Sequence, residues 1–390
     1  MSDEYDIELS EEHIMLRDMV RKFGDKEILP RVEDDENNHR FQRDLVDQMA
    51  ELGLFGCPVP EEYGGNGMGY LAHAICTEEI GRVSGSLRVA FNMQTMGTAL
   101  SILKWGSDEL KQKYIPALVS AKVLGCFGIT EPDAGSDTAA MATTAVKDGN
   151  EYVINGRKMW ITWAPVADMA VMFAMTDKKA KYKGMSAFVM DMDSPGVTTE
   201  TIKDKLGLWA TPTGEIICED VRIPAGNLLG EEGKGFGYLM QELISTRLSA
   251  AAGAVGTCQA ALDESIKYAN ERSQFGKPIA AFQMVQEVIA RMVVETEAAR
   301  ALVWRCAIQK DKGLITNMRE TVIAKYYACK AADEVPNLAL EVLSAYGYSN
   351  EYPIARILRD GKVYKILEGA TNIMKMIIAN DALGLKKANR

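Results

Sequence analysis

The chain has 390 residues, 47% of them hydrophobic, and a formal net charge of −10. That length calls for two or three structural units around a shared interior, and no stretch approaches the ~18–20 apolar residues that cross a bilayer, which excludes membrane insertion by a helix. The negative charge, with no basic run to offset it, argues against a nucleic-acid partner.

The opening residues, Met1 to Asp6, are acidic and unlike a targeting segment, as expected of a cytoplasmic protein. From about residue 9 to 120 the apolar spacing is helical, through Ile14, Leu16, Met19, Val20 and Phe23, then Leu45, Met49 and Leu52 after a charged linker around Asp34–Asn38. Gly64, Gly65, Gly67 and Gly69 follow no strand of a βαβ unit and read as a surface turn, not a phosphate cradle. Between about 123 and 230 short apolar runs alternate with turn residues: Tyr152–Ile154 leads into the hairpin signal Asn155–Gly156, and Ala170–Ala174, Ser186–Met190 and Ile216–Val221 continue a β-domain. Gly230, Gly233, Gly235 and Gly237 again read as turns, so no Rossmann unit is expected. Long helices return from about 235, with Val285, Val288, Ile289, Met292, Thr296, Ala299, Leu302 and Val303 on one face and another helix through Leu338–Leu343. Lys386–Arg390 reads as a solvated tail. The order is α, β, α, with expected domains 1–122, 123–234 and 235–390.

Seven scattered cysteines without a Cys-x-x-Cys, namely Cys57, Cys76, Cys126, Cys218, Cys258, Cys306 and Cys329, are expected to be reduced and buried. His13, His39 and His73 are not spaced as metal ligands, so no metal is expected.

Phe127-Gly128-Ile129-Thr130-Glu131-Pro132-Asp133-Ala134-Gly135-Ser136-Asp137 puts backbone N–H groups and hydroxyls at a strand end, where they can meet a polar heterocycle. Together with Lys158-Met159-Trp160-Ile161-Thr162, Arg272-Ser273-Gln274-Phe275-Gly276 and Leu367-Glu368-Gly369-Ala370-Thr371-Asn372, this segment resembles the acyl-CoA dehydrogenase family over essentially the whole chain. The resemblance implies an α+β protein of the acyl-CoA dehydrogenase fold, with an N-terminal helical domain, a middle β-barrel-like domain and a C-terminal four-helix bundle. It implies FAD as cofactor, an acyl-CoA substrate, an electron-transfer flavoprotein as acceptor, and a homotetramer.

Residue by residue, the resemblance places Phe127, Ile129 and Thr130 along the isoalloxazine ring, stacks Trp160 on it and bonds it through Thr162. Arg272, with Gln274 and Phe275, reaches the FAD of a neighbouring subunit, where a guanidinium fork suits pyrophosphate. Gln283, Ala370 and Asn372 complete the cofactor set. Ala370 and Asn372 stand in place of the family's Thr and Gln, Trp163-Ala164 in place of Asn-Gly, and Glu341–Gly347 departs from the family's adenine-contact motif. Arg88, Val89, Ser136, Arg247 and Gly369 are implied substrate contacts.

Glu368 is the implied catalytic base. Its apolar neighbours Ile366 and Leu367 favour the neutral acid once substrate excludes water, which suits a group that must hold the α-proton of a thioester. Arg88 resembles the arginine by which glutaryl-CoA dehydrogenases clamp a distal carboxylate. Decarboxylating members of that branch have Ser, Glu and Tyr where this chain has Val89, Gly81 and Leu367, so the expectation is oxidation of glutaryl-CoA to glutaconyl-CoA without decarboxylation. Phe91, Trp163 and Trp209 motivate an alternative, a bulkier or cyclic acyl group such as benzylsuccinyl or cyclohexanecarboxyl. A third possibility is a non-catalytic assembly protein on the same fold, which would carry no flavin.

Overall fold

Ser10 opens the first helix, α1 (Glu11–Phe23), by accepting the His13 N–H at 3.3 Å, while Glu11 and Glu12 face the positive end of the helix dipole. The computed structural model describes residues 9–314 and 318–385; the acidic opening and the Lys386–Arg390 tail lie outside them.

The charged run after α1 is not a linker. It forms α2 (Val32–Asn37), in which Asp35 and Glu36 are buried. Asp35 is enclosed by Arg31, Arg40 and Gln42, and Glu36 accepts the N–H of Ala210 at 3.0 Å. A charged linker and a run that buries two carboxylates against distant donors look alike until those partners are known.

Next come α3 (Arg43–Glu51) and α4 (Gly69–Val83), the latter capped from far along the chain by Asp311, whose carboxylate accepts the N–H groups of Tyr70 and Leu71 at 2.7 and 2.9 Å. Gly69 has φ +87°, and a Cβ there would stand 2.5 Å from Asp311 Oδ1, so the cap requires glycine. A single rod then runs through α5 (Gly85–Ala90), a π-helical stretch Phe91–Ala99 and α6 (Leu100–Trp105), followed by α7 (Asp108–Val119). The wide turns of a π-helix re-aim side chains, and such stretches concentrate at functional sites.

The β-domain comprises β1 (Gly125–Gly128), β2 (Thr144–Asp148), β3 (Glu151–Thr162), β4 (Met169–Met175), β5 (Met185–Asp191), β6 (Val197–Thr201), β7 (Thr213–Pro224) and β8 (Leu228–Leu229). They form one eight-stranded sheet ordered β6-β7-β3-β2-β4-β5-β8, with β1 parallel to β4. Strand β2 meets β4 only at Thr144–Met175, so the sheet divides there into two leaves.

Asn155–Gly156 does not turn a hairpin. The β2–β3 turn lies at Gly149–Asn150, and Asn155–Gly156 sits inside β3 at an irregularity opposite β7, where the Asn155 amide exchanges two 2.9 Å hydrogen bonds with Asp220. Gly156 has φ +151°, and a Cβ would collide with Thr143, so the glycine serves a bulge.

The C-terminal helices are α8 (Gly235–Glu271), α9 (Gln283–Asp311), α10 (Arg319–Leu343), α11 (Pro353–Gly361) and α12 (Thr371–Ala382); a small hairpin of β9 (Ser273–Gln274) and β10 (Lys277–Pro278) follows α8. The 37-residue α8 is the central rod, its alanines buried against α9 and α10. It crosses α4 at small residues: a Cβ at Gly81 would stand 3.0 Å from the Gly253 carbonyl, and one at Gly256 would strike α4 backbone. All seven cysteines are free and buried.

Candidate active site

Glu368 sits in the short turn between α11 and α12, at φ +55°, a left-handed conformation costly for a residue with a Cβ, and Gly369 continues the turn at φ +96°. Two buried cations hold this turn. The Arg247 Nε on α8 donates to the Glu368 carbonyl at 2.9 Å, and the Lys325 Nζ on α10 donates to the Gly369 carbonyl at 2.7 Å. Burial pulls both cations down from their ordinary values, and the charge of Glu368 opposes that.

The carboxylate itself is held by neutral donors. Asn92 Nδ2, from the π-helical stretch, donates to Oε1 at 3.0 Å, and the Thr246 hydroxyl, from α8, donates to Oε2 at 2.7 Å. Among the described residues no acceptor meets the N–H of Glu368, which leaves that donor for a ligand. Asn92, Thr246 and Lys325 carried no role in the sequence reading. The signals were Asn92 four residues after Arg88 on one rod, Thr246 beside Arg247, and a lysine among the buried alanines Ala324 and Ala328.

Arg88 is 1% exposed, and neither Nε nor Nη2 has a hydrogen-bond partner. Its stem lies against α8, where a Cβ at Gly253 would collide with the Arg88 side chain, and its guanidinium stands 5.0 Å over the Tyr364 ring. No ion pair to Arg88 forms among the described residues. Nearby, Val89 is buried and apolar, Leu367 packs on the bundle core, and Gly81 adjoins both Gly253 and the Arg88 Cγ.

The flavin-wall candidates gather on the β-domain. Phe127 packs edge-on to Phe173, and Gly97 of the π-helical stretch approaches it so closely that a Cβ would stand 3.3 Å from the ring. Gln94 links the same stretch to β1, accepting the Gly125 N–H at 2.9 Å, so Asn92 and Phe127 ride on joined elements. The Ile129 carbonyl accepts from the fully buried Lys158, which also pairs with Glu131 at 2.8 Å; the Thr130 carbonyl accepts the Met159 N–H at 2.9 Å. Beside them Trp160 is 54% exposed in a bulge at φ +61°. An uncovered indole next to Thr130, with Thr162 partly exposed on the same strand, is a flat apolar wall with a polar rim, and an isoalloxazine fits it.

Ser136 is exposed in the loop after β1, and Ala370 and Asn372 lie at the start of α12. The remaining candidates stand apart. Arg272, Gln274, Phe275 and Gln283 occupy the far end of α8, the hairpin and the start of α9; Arg247 to Arg272 spans roughly 37 Å at helical rise. Phe275 is 91% exposed.

The aromatics that suggested a bulky acyl group are engaged elsewhere. Phe91 packs edge-on to Phe55 and His73, Trp163 to Phe41, and Trp209 stacks on His39 beneath Arg359.

Leu208 and Ala210, in the loop between β6 and β7, close over α5: Leu208 abuts Gly85, and the Thr211 hydroxyl donates to the Ser86 carbonyl at 2.8 Å. The buried Asp360 accepts the Leu208 N–H at 2.7 Å. Burial, then the charge of Glu36, push Asp360 up to about 7 against the pull of Arg356. An acid whose proton affinity rises on folding stabilises the fold fully below its unfolded value near 4, and that contribution fades as pH climbs through about 7. Asp360→Asn is therefore expected to flatten this decline and to exceed the parent at pH 8 by on the order of 2 kcal/mol, read by urea unfolding at pH 5 and 8.

Known proteins share this fold. The acyl-CoA dehydrogenase N-terminal, middle and C-terminal domain signatures match residues 10–122, 126–221 and 233–383. The glutaryl-CoA dehydrogenase of Desulfococcus multivorans is 50% identical over 389 residues, 99% of this chain and 100% of that protein. A glutaryl-CoA dehydrogenase solved with glutaryl-CoA superposes with a TM-score of 0.96 at 50% identity, covering 99% of this chain and 98% of the other. A structure described as an electron-transferring flavoprotein of Acidaminococcus fermentans, reported in the context of flavin-based electron bifurcation, superposes at 0.95 with 38% identity, over 97% and 99% of the two chains. With all three domains matched and a carboxylate held between α8, the π-helical stretch and the α11–α12 turn, this chain belongs to the acyl-CoA dehydrogenase family of FAD-binding oxidoreductases.

Proposed function

We propose that this acyl-CoA dehydrogenase oxidises glutaryl-CoA to glutaconyl-CoA and retains the distal carboxylate. The observation that carries the reading is Arg88, a fully buried guanidinium without an anion. An unpaired buried charge costs several kcal/mol, and a dicarboxylic acyl chain brings the missing partner. The half-identical relatives named for glutaryl-CoA support this choice.

Glu368 removes the α-proton, held ready by Asn92 and Thr246. Its free N–H points to a role as one donor polarising the thioester carbonyl. Phe127, Ile129, Thr130, Trp160 and Thr162 are assigned to the wall for FAD, with Ala370 and Asn372; Ser136 is assigned to the CoA portion, and Val89, Gly369 and Arg247 to the rest of the substrate. Bound FAD supplies the acceptor for the β-hydrogen as hydride. Arg272, Gln274, Phe275 and Gln283 are assigned to the FAD of a second copy, because ~37 Å of helix separates them from Arg247. The highly exposed Phe275, Met284 and Tyr348 supply apolar area for such contacts in a homotetramer. An electron-transfer flavoprotein is the proposed acceptor.

Loss of CO₂ requires the Arg–carboxylate pair to be loosened by polar neighbours. Val89 and Leu367 offer none, and at Gly81 a side chain would press on Gly253 and Arg88. Mass analysis of the product is expected to give glutaconyl-CoA; crotonyl-CoA with CO₂ as the main product would overturn the reading. A bulkier cyclic substrate has no aromatic left to recommend it, since Phe91, Trp163 and Trp209 are committed to other contacts.

A further inference from the structure

The end of β1 and the bulge at Trp160, two pieces of the proposed flavin wall, are tied together from behind by one side chain. Lys158 on β3 is 0% exposed, and its Nζ donates to the Ile129 carbonyl at 3.2 Å, to Glu131 Oε1 at 2.8 Å and to Met141 Sδ at 3.8 Å, which engages all three of its N–H groups. Its stem passes close to Gly128, where a Cβ would stand 3.5 Å from the Lys158 Cγ. Glu131 also accepts the N–H groups of Ala142 and Thr143, the latter at 3.1 Å, and so closes the loop that carries Ser136.

In an undisturbed strand residues 158 and 160 share a face. Here the register with β7 slips between Lys158 and Ile161, and Trp160 takes φ +61°, so the ammonium stays inside while the indole is 54% exposed. Met159, between them, donates its N–H to the Thr130 carbonyl at 2.9 Å. The Ile129–Thr130 peptide is trans, so its N–H points opposite to its carbonyl and away from Lys158. Among the described residues no acceptor meets that N–H. A cation on the carbonyl of a peptide polarises the whole unit and makes its N–H the stronger donor.

We propose that Lys158 is a positioning residue for the flavin: it fixes the Ile129–Thr130 peptide with the free N–H turned to the ring and strengthens that donor, so that the site holds the reduced ring more tightly than the oxidised one. The inference rests on the assignment of Ile129, Thr130 and Trp160 to the FAD wall. The substrate β-carbon gives up a hydride, one proton with two electrons, while the α-proton passes to Glu368, so the ring gains one negative charge. A donor aimed at the ring is therefore worth more after the transfer than before it. Lys158 exchanges nothing, and Glu131 keeps its ammonium in place.

The test titrates the flavin midpoint potential in the FAD-loaded, full-length enzyme without substrate, and follows the loss of oxidised FAD from the same enzyme on dilution. In Lys158→Met/Glu131→Gln, which leaves no buried charge unpaired, the reduction equilibrium is expected to shift about tenfold towards oxidised flavin, a potential lower by ~30 mV for a two-electron couple. Affinity for oxidised FAD should fall by no more than about threefold. Lys158→Met alone should lower the potential at least as far, because Glu131 is then left without its cation, and it serves as the readout if the double variant does not hold flavin. A structural brace would weaken the binding of oxidised and reduced flavin alike and leave the potential where it was, so an unmoved or raised potential overturns the proposal. No acyl-CoA enters the titration: a parent flavin that glutaryl-CoA fails to bleach removes the substrate reading alone, and an unmoved potential removes only the role of Lys158.

Discussion

Glu368→Gln is expected to reduce its flavin with glutaryl-CoA more than about 10³-fold slower than the parent, the upper part of the range for a positioned acid–base group. The fold should hardly notice. A carboxamide oxygen can still accept from Asn92, and the Thr246 hydroxyl can rotate to accept from the new NH₂, so the hydrogen-bond count is kept. The stability loss should stay under about 1 kcal/mol, with the flavin visible spectrum unchanged. Stopped-flow bleaching of that spectrum and a denaturant titration measure the two halves of this prediction. Native-rate bleaching would mean that another group takes the proton.

Arg88→Met should separate recognition from stability in opposite directions. The methionine keeps much of the stem that lies on Gly253 but removes the charged group over Tyr364. Glutaryl-CoA turnover, as kcat/KM, is expected to fall about 10²–10³-fold, in line with the cost of breaking a buried charge pair. The substrate-free protein should melt higher, because a lone guanidinium in an apolar site opposes folding. A monocarboxylic acyl-CoA of similar length should lose little. Equal losses for both substrates would assign Arg88 to packing rather than to reading the distal carboxylate.

Much of this was legible in the residues themselves. The α, β, α texture follows from apolar periodicity, which is local, whereas Glu368 and Arg88 were singled out by the resemblance of their segments to the acyl-CoA dehydrogenase family. What escaped was decided by distant partners. The Asp34–Asn38 run read as a linker because the groups that enclose Asp35 and Glu36, namely Arg40, Gln42 and the N–H of Ala210, include one from the β-domain. Asn155–Gly156 has the composition of a two-residue turn, but Asp220 claims the Asn155 amide and the glycine's permissive backbone serves a bulge instead. Thr246, Asn92 and Lys325 carry no mark of their own; they matter because α8, the π-helical stretch and α10 converge on one turn.

The unbroken course of α8 has a consequence for which substrates the protein can come to accept. Thr246 braces the base and Gly253 seats the arginine, seven residues apart on one rod and therefore roughly 10 Å apart along its axis. The gap between the proposed proton acceptor and the proposed carboxylate receptor is thus counted in helical turns and cannot be stretched by a loop. A longer diacid must coil within that gauge, and new acyl preferences will come from trading side chains on α4 and α5 opposite the ruler.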